Sequence, residues 1–160
     1  MVIRKANEGD LETLLELRLL YLKEAFDKNS YKNSYDEETT AATIKDYFKR
    51  QINGDVFTAY LAEADGEVAA VIFEIRVEKP ASPCFLSGKT AMLMNVYTKE
   101  NYRRQGIAEA LLKTVIADAK AAGISCIDLT ATDVGRPLYE KHGFAPLKYS
   151  SFEMRLQIHD

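Results

Sequence analysis

One stretch constrains the fold of this chain more than any other. Between Ala91 and Ala131 an apolar strand pattern, a polar loop, an amphipathic helix and a second apolar strand follow one another without a break. Ala91–Tyr97 reads as a strand, and Gly106–Ala122 as a long helix with Ile107, Leu111, Val115 and Ala119 at i+4 spacing, stopped by Gly123. Ser125–Ala131 then has the look of a buried strand, with Cys126 as a small hydrophobe within it. A strand, a helix and a strand in such close succession belong to a layered α/β sheet.

The rest of the chain extends this pattern. Ile3–Ala6 is a short first strand, and Asp10 caps a helix carrying Leu11, Leu14, Leu15, Leu19, Leu22 and Phe26. Asp27–Glu38 is polar and reads as a loop or a frayed helix end, and a second helix runs from about Thr39 to Ile52. Val56–Glu63 and Val68–Val77 flank Asp65-Gly66, a pair suited to a tight hairpin because glycine tolerates positive φ. Pro80 and Pro83 interrupt the loop that follows; a short helix is expected at Arg136–Lys141, and one last strand or two in Tyr149–Ile158. The order predicts one α/β (α+β) domain over residues 1–160, a mixed central sheet with helices on both faces.

Composition excludes several classes of function. The net charge is −3 with no dense Lys/Arg block, so nucleic acid is not an expected partner. No apolar run approaches the roughly 20 residues that cross a bilayer, and the N-terminus has no apolar signal core. Cys84 and Cys126 form no CxxC, and His142 and His159 have no metal-ligand spacing; His142 reads as a solvent-facing helix residue. No metal is expected, and a reducing cytoplasm suits the chain.

The polar loop carries the chemistry. Arg103-Arg104-Gln105-Gly106-Ile107-Ala108 leads from a strand into a helix, whose first N–H groups lack intrahelical partners and carry partial positive charge. Gly106 and Ala108 let an anion approach the backbone, and the arginines add charge and directed donors. These residues suit a phosphate or pyrophosphate, but there is no GxxxxGK[ST], and no GxGxxG after the first strand.

The same run resembles the acetyl-CoA signature R/Q-x-x-G-x-G/A of the GNAT superfamily of N-acetyltransferases, with Arg103, Gly106 and Ala108 at its fixed positions. Leu138-Tyr139-Glu140-Lys141-His142-Gly143-Phe144 is similar to that superfamily's LYEKxGF motif, and the order of elements agrees along nearly the whole chain. The resemblance implies two parallel strands splayed by a bulge, with the pantetheine of acetyl-CoA entering the gap. It implies backbone bonds to pantetheine from Val96, Tyr97 and Thr98, and an N–H near Val96 that polarises the thioester carbonyl and stabilises the oxyanion. It further implies that the pyrophosphate lies on the N–H groups of Arg104 through Ala108, and that Tyr139 is the general acid for the leaving thiolate. Transfer would be direct, from acetyl-CoA to a primary amine of a small molecule, peptide or protein. The alternative is a non-catalytic acyl-CoA-binding or sensing module with the same fold. Many members are homodimers, and no residue here decides that.

Two positions depart from the family pattern. Thr132 stands where many relatives have an asparagine that contacts CoA, and can still donate a hydrogen bond. Met92 stands where some relatives carry a glutamate base, so a carboxylate must come from elsewhere or a water must relay the proton. Glu74, on the adjacent expected strand, is the first candidate, ahead of Glu24 and Asp133; Asn95 can position substrate or water but is a poor base. By the resemblance, residues from about Tyr21 to Tyr47 govern acceptor choice, with Tyr31, Tyr35 and Tyr47 forming a wall over it or packing on the sheet edge. The loop Glu78–Lys89 is a second candidate border of that pocket.

Overall fold

The computed structural model describes residues 1–28, 36–147, 155, 156 and 158. Compactness divides the chain into two units, residues 1–130 and 131–160.

The first unit holds a five-stranded sheet in sequential order: β1 (Val2–Lys5), β2 (Phe57–Ala64), β3 (Glu67–Glu78), β4 (Lys89–Thr98) and β5 (Cys126–Leu129). The first four pair antiparallel, and β5 runs parallel to β4 after the helix α3 (Ile107–Ala121). Between β1 and β2 lie α1 (Leu11–Lys28) and α2 (Glu37–Gln51). The turn Asp65-Gly66 has φ of 53° and 83°, the left-handed pair that a two-residue hairpin needs.

Strict alternation sorts side chains between the two faces. Phe57, Ala59 and Leu61 of β2, Val71 and Phe73 of β3, and Tyr97 of β4 join Leu14 and Leu17 of α1 and Phe48 of α2 in one core. Phe48, Phe57 and Phe73 interlock there with ring centroids 5.3–5.5 Å apart, and Tyr47 meets Phe57 edge-on at 5.5 Å. Alternate residues, among them Tyr60, Ile72, Glu74 and Leu93, face the other way, where α3 buries Leu111, Leu112 and Val115.

Several boundaries differ from expectation. Asp10 is not the helix cap: Asn7 caps a one-turn 3-10 segment that runs into α1, and Asp10 closes that capping box while pairing with Arg4 at 2.7 Å. Asp36 caps α2, so that helix starts two residues before Thr39. β5 is shorter than Ser125–Ala131 because its pairing with β4 ends at Leu129. The last expected strand, Tyr149–Ile158, and the tyrosines Tyr31 and Tyr35 lie largely or wholly outside the described residues, as does His159.

The second unit contains α4 (Arg136–Lys141), entered through Pro137 in its first turn. His142 is its C-cap and is half-buried rather than solvent-facing, because the chain turns back there through Gly143, with φ of 88°.

Candidate active site

β4 changes character halfway along. Up to Leu93 it is paired on both sides, with β3 and with β5. From Met94 onward β5 has ended, and on the other side the β3 register slips: Phe73 pairs with Met94 but Val71 pairs with Tyr97. The slip is a bulge with one extra residue on β4, and Asn95 sits in it with φ of 52°. Its consequence is exact alternation reset by one residue, which turns Tyr97 back into the α1/α2 core instead of toward α3. Asn95 and Val96 thus fall outside the β3 ladder, and on the opposite edge, where β5 pairing has stopped at Leu93, an extended ligand could take a strand's place beside β4.

Asn95 is 2% exposed; its Oδ1 accepts from Arg18 Nη1 of α1 at 3.0 Å, while its buried Nδ2 has no partner among the described residues. That pairing fixes the amide so that a donor remains at the bulge.

Immediately after β4 the loop reverses through two left-handed residues, Arg104 (φ 62°) and Gly106 (φ 78°). Gly106 is the N-cap of α3 and has no side chain to cap it, so the first-turn N–H groups of the helix are left to an incoming acceptor. A Cβ on Gly106 would meet nothing within 4 Å, so glycine is required here by conformation, not by crowding. Arg103 through Gly106 are exposed. Left-handed turns before a bare helix start gather N–H groups into an anion-binding concavity, and these residues fit a pyrophosphate.

The two arginines divide their tasks. Arg103 turns back to the protein: Nη2 meets Glu24 Oε1 of α1 at 2.6 Å, Nε donates to the Thr98 carbonyl at 2.9 Å, and the guanidinium lies 5.6 Å from the Tyr97 ring. Tyr97 donates its hydroxyl to the same Glu24 oxygen at 3.0 Å, and burial with that carboxylate pushes its pKa up. This clamp ties α1 to the loop, so Arg103 holds the loop's shape; Arg104 has no ion-pair partner among the described residues. Sequence reading put Glu24 among the candidate bases and did not see this role, because only the fold brings α1 to the loop.

Glu74 is fully buried on the α3 side, with Oε2 bonded by Arg76 at 3.0 Å and by the Tyr60 hydroxyl at 3.3 Å. Tyr60 also meets Asp118 of α3 at 3.2 Å, and Lys5 reaches that carboxylate at 2.8 Å. The Tyr60 hydroxyl is raised far above its ordinary pKa, chiefly by burial and then by the two carboxylates. Met92 is on the opposite face and 45% exposed.

In the second unit Tyr139 is 8% exposed and meets Phe144 edge-on at 5.8 Å. Thr132 Oγ1 accepts from the Gly135 N–H at 3.2 Å and its carbonyl from Arg136 at 2.8 Å, which starts α4. A side chain on Gly135 would press on both Tyr139 and Thr132, at 3.2 and 3.3 Å. Asp133 is exposed. Among the described residues no cluster of His, Cys, Asp or Glu is grouped to hold a metal, and no helix is long and apolar enough to cross a membrane.

Comparison with known proteins bears directly on this geometry. The model of the acetyltransferase (GNAT) family matches residues 16–144, from α1 through Phe144. The chain belongs to the acetyltransferase (GNAT) family. The description of that family is of acetyltransferases. A GCN5-related N-acetyltransferase from Ralstonia eutropha JMP134 superposes with a TM-score of 0.77 at 26% identity, over 96% of this chain and 97% of that one. A predicted acetyltransferase from Clostridium acetobutylicum, solved with acetyl-CoA, shares the fold with a TM-score of 0.80 at 24% identity over 99% of both chains. Human N-acetyltransferase 8 is 26% identical over 121 residues, 74% of this chain. The chain spans about half the length of that relative, 52%.

Proposed function

We propose that residues 1–160 act as one acetyl-CoA-dependent N-acetyltransferase domain, moving acetyl directly to a primary amine of a small molecule, peptide or protein. The observation that carries this reading is the bulged, one-sided end of β4 running straight into the uncapped start of α3. The strand end offers backbone groups to an extended pantetheine arm, and the helix start offers N–H groups to a pyrophosphate. Both ends of one ligand are thereby served by a single stretch of chain.

The residue roles follow the family resemblance. The N–H groups of Arg104, Gln105, Gly106, Ile107 and Ala108 bind the pyrophosphate, while Arg103 keeps their loop in shape through Glu24. Val96, Tyr97 and Thr98 align the pantetheine, and the Val96 N–H polarises the thioester carbonyl. Tyr139 gives its proton to the departing sulfur, and Thr132 lies in the same CoA-contacting segment. A reducing, cytoplasmic setting suits the two free cysteines, one of them exposed. A homodimer is open to a direct measurement by sedimentation.

A thermal-shift titration tests the donor half. Acetyl-CoA at 100 times its Kd should add about 2.7 kcal/mol of stability, and no shift at millimolar acetyl-CoA would count against the reading. Tyr139→Phe should lower kcat by about 10²-fold with little change in acetyl-CoA affinity; unchanged turnover removes Tyr139 from the mechanism.

A second reading, an acyl-CoA-binding module without catalysis, draws on the methionine at the family's base position. Tight acetyl-CoA binding with no transfer to any amine would favour it.

A further inference from the structure

β4 and β5 are in register as Thr90–Cys126, Ala91–Ile127, Met92–Asp128 and Leu93–Leu129. Residues paired across neighbouring strands send their side chains to the same face. The face of Met92 is fixed by its neighbours: Ile75, its partner on β3, and Met94, two residues on, both pack against the α1/α2 core. Asp128 therefore stands beside Met92 on that face. The helices do not cover this end of it, since Met92 is 45% exposed and Asp128 is exposed as well.

By the family resemblance, Met92 stands where some relatives would carry a glutamate base. Neighbouring strands are about 4.8 Å apart, so a carboxylate on Asp128 starts one strand away from where that glutamate would start. Two of the other candidates, Glu74 and Glu24, are engaged. Glu74 is on the far side of the sheet and held by Arg76 and Tyr60, while Glu24 is bonded by Arg103 and Tyr97. Asp128 has no hydrogen bond or ion pair among the described residues, so both its oxygens can accept a proton. Its charge is felt at Cys126, two residues earlier on the same face, whose thiol is pushed up by burial first and then by Asp128. Lys79 and Cys84 are the other ionisable groups acting there, and β4 presents Thr90, Met92 and Met94, none of which titrates.

We propose that Asp128 is the general base of the transfer, displaced one strand from the position Met92 fills. The proposal rests on the acetyltransferase reading above. The acceptor arrives as an ammonium ion, and Asp128 takes one of its protons, directly or through one water. The freed nitrogen lone pair bonds to the thioester carbonyl carbon and the carbon–sulfur bond breaks. The sulfur takes a proton from Tyr139, which regains one from the new amide nitrogen through solvent. Asp128 returns its proton to water, leaving acetamide, free thiol and one proton.

The test begins with the wild-type chain, acetyl-CoA and four acceptors: spermidine, an amino acid, an aminoglycoside and a peptide with a free N-terminus. Asp128→Asn should lower kcat/KM at pH 7 by about 10²-fold and abolish the rising acid limb of the pH profile. Its thermal shift with acetyl-CoA should equal the wild type's. Adding Met92→Glu to Asp128→Asn should restore the rate at least in part and bring the acid limb back. A wild-type rate and profile in Asp128→Asn overturns the inference and leaves the transferase reading standing. A slow variant that keeps its acid limb and is not rescued by Met92→Glu also overturns it. A wild type that binds acetyl-CoA but acetylates none of the four acceptors overturns the transferase reading, and the assignment of Asp128 with it.

Discussion

The two faces of the sheet treat their carboxylates in opposite ways. On the α3 side, Glu74 is buried and Asp118 is partly exposed, and each charge is met by a cation and by the Tyr60 hydroxyl. On the other face, beyond the reach of α1 and α2, Asp128 stands exposed with an apolar methionine beside it. A carboxylate in a closed layer, bonded as Glu74 is by Arg76 and Tyr60 through Oε2, moves a proton only by disturbing those bonds, although its buried Oε1 has no partner among the described residues. One with free lone pairs and access to solvent can exchange protons with a ligand. A carboxylate's partners are thus set by its strand register and face: Glu74 is bonded within its layer, while Asp128 is left open.

The largest effect expected on stability comes from the closed face. Glu74→Ala should destabilise the protein by roughly 2–3 kcal/mol, less than the loss of a fully buried pair because Arg76 keeps about a third of its side chain in water. Chemical denaturation measures this. A folded Glu74→Gln variant that lost turnover would break the division between the faces.

Acid should act next, through pairs that join the sheet to its surroundings. Asp10 is held below the usual carboxylate range by its hydrogen bonds from Arg4, and Asp118 by its bond from Lys5. A depressed native pKa means that the folded state binds fewer protons than the unfolded one. The stabilisation is complete above the unfolded value near 4 and fades as pH falls through the folded value. Stability followed from pH 6 to pH 2 should therefore decline below about pH 4, and Asp10→Asn should flatten that decline.

The smallest effect is expected on the open face. Asp128→Asn should change stability by less than about 0.5 kcal/mol, because the carboxylate bonds to nothing among the described residues. A loss comparable to that of Glu74→Ala would show Asp128 to be structural and would erase the contrast.

The uncapped helix start after β4 was legible in the sequence. Arg103 to Ala108 are consecutive, and a glycine before an i+4 apolar helix is a local signal that needs no distant partner. The fold class was legible for the same reason, as was the Asp65-Gly66 turn. Helix caps were missed by a few residues because Asn7 and Asp10 can both serve as caps, and the Arg4 pairing that claims Asp10 is visible only in three dimensions. The side chain of Arg103 invited a phosphate role, yet Glu24, far along the chain, claims it.

By itself, then, the sequence determined the alternation of strands and helices and the bare helix start after β4, since both depend on side-chain periodicity and backbone freedom within a few residues. The tertiary structure alone decided which carboxylates are neutralised and which stay open. Face and register depend on pairing between strands, and the one-residue bulge at Asn95 resets alternation midway along β4. No local pattern reports that Asp128 stands beside Met92 while Glu74 faces away.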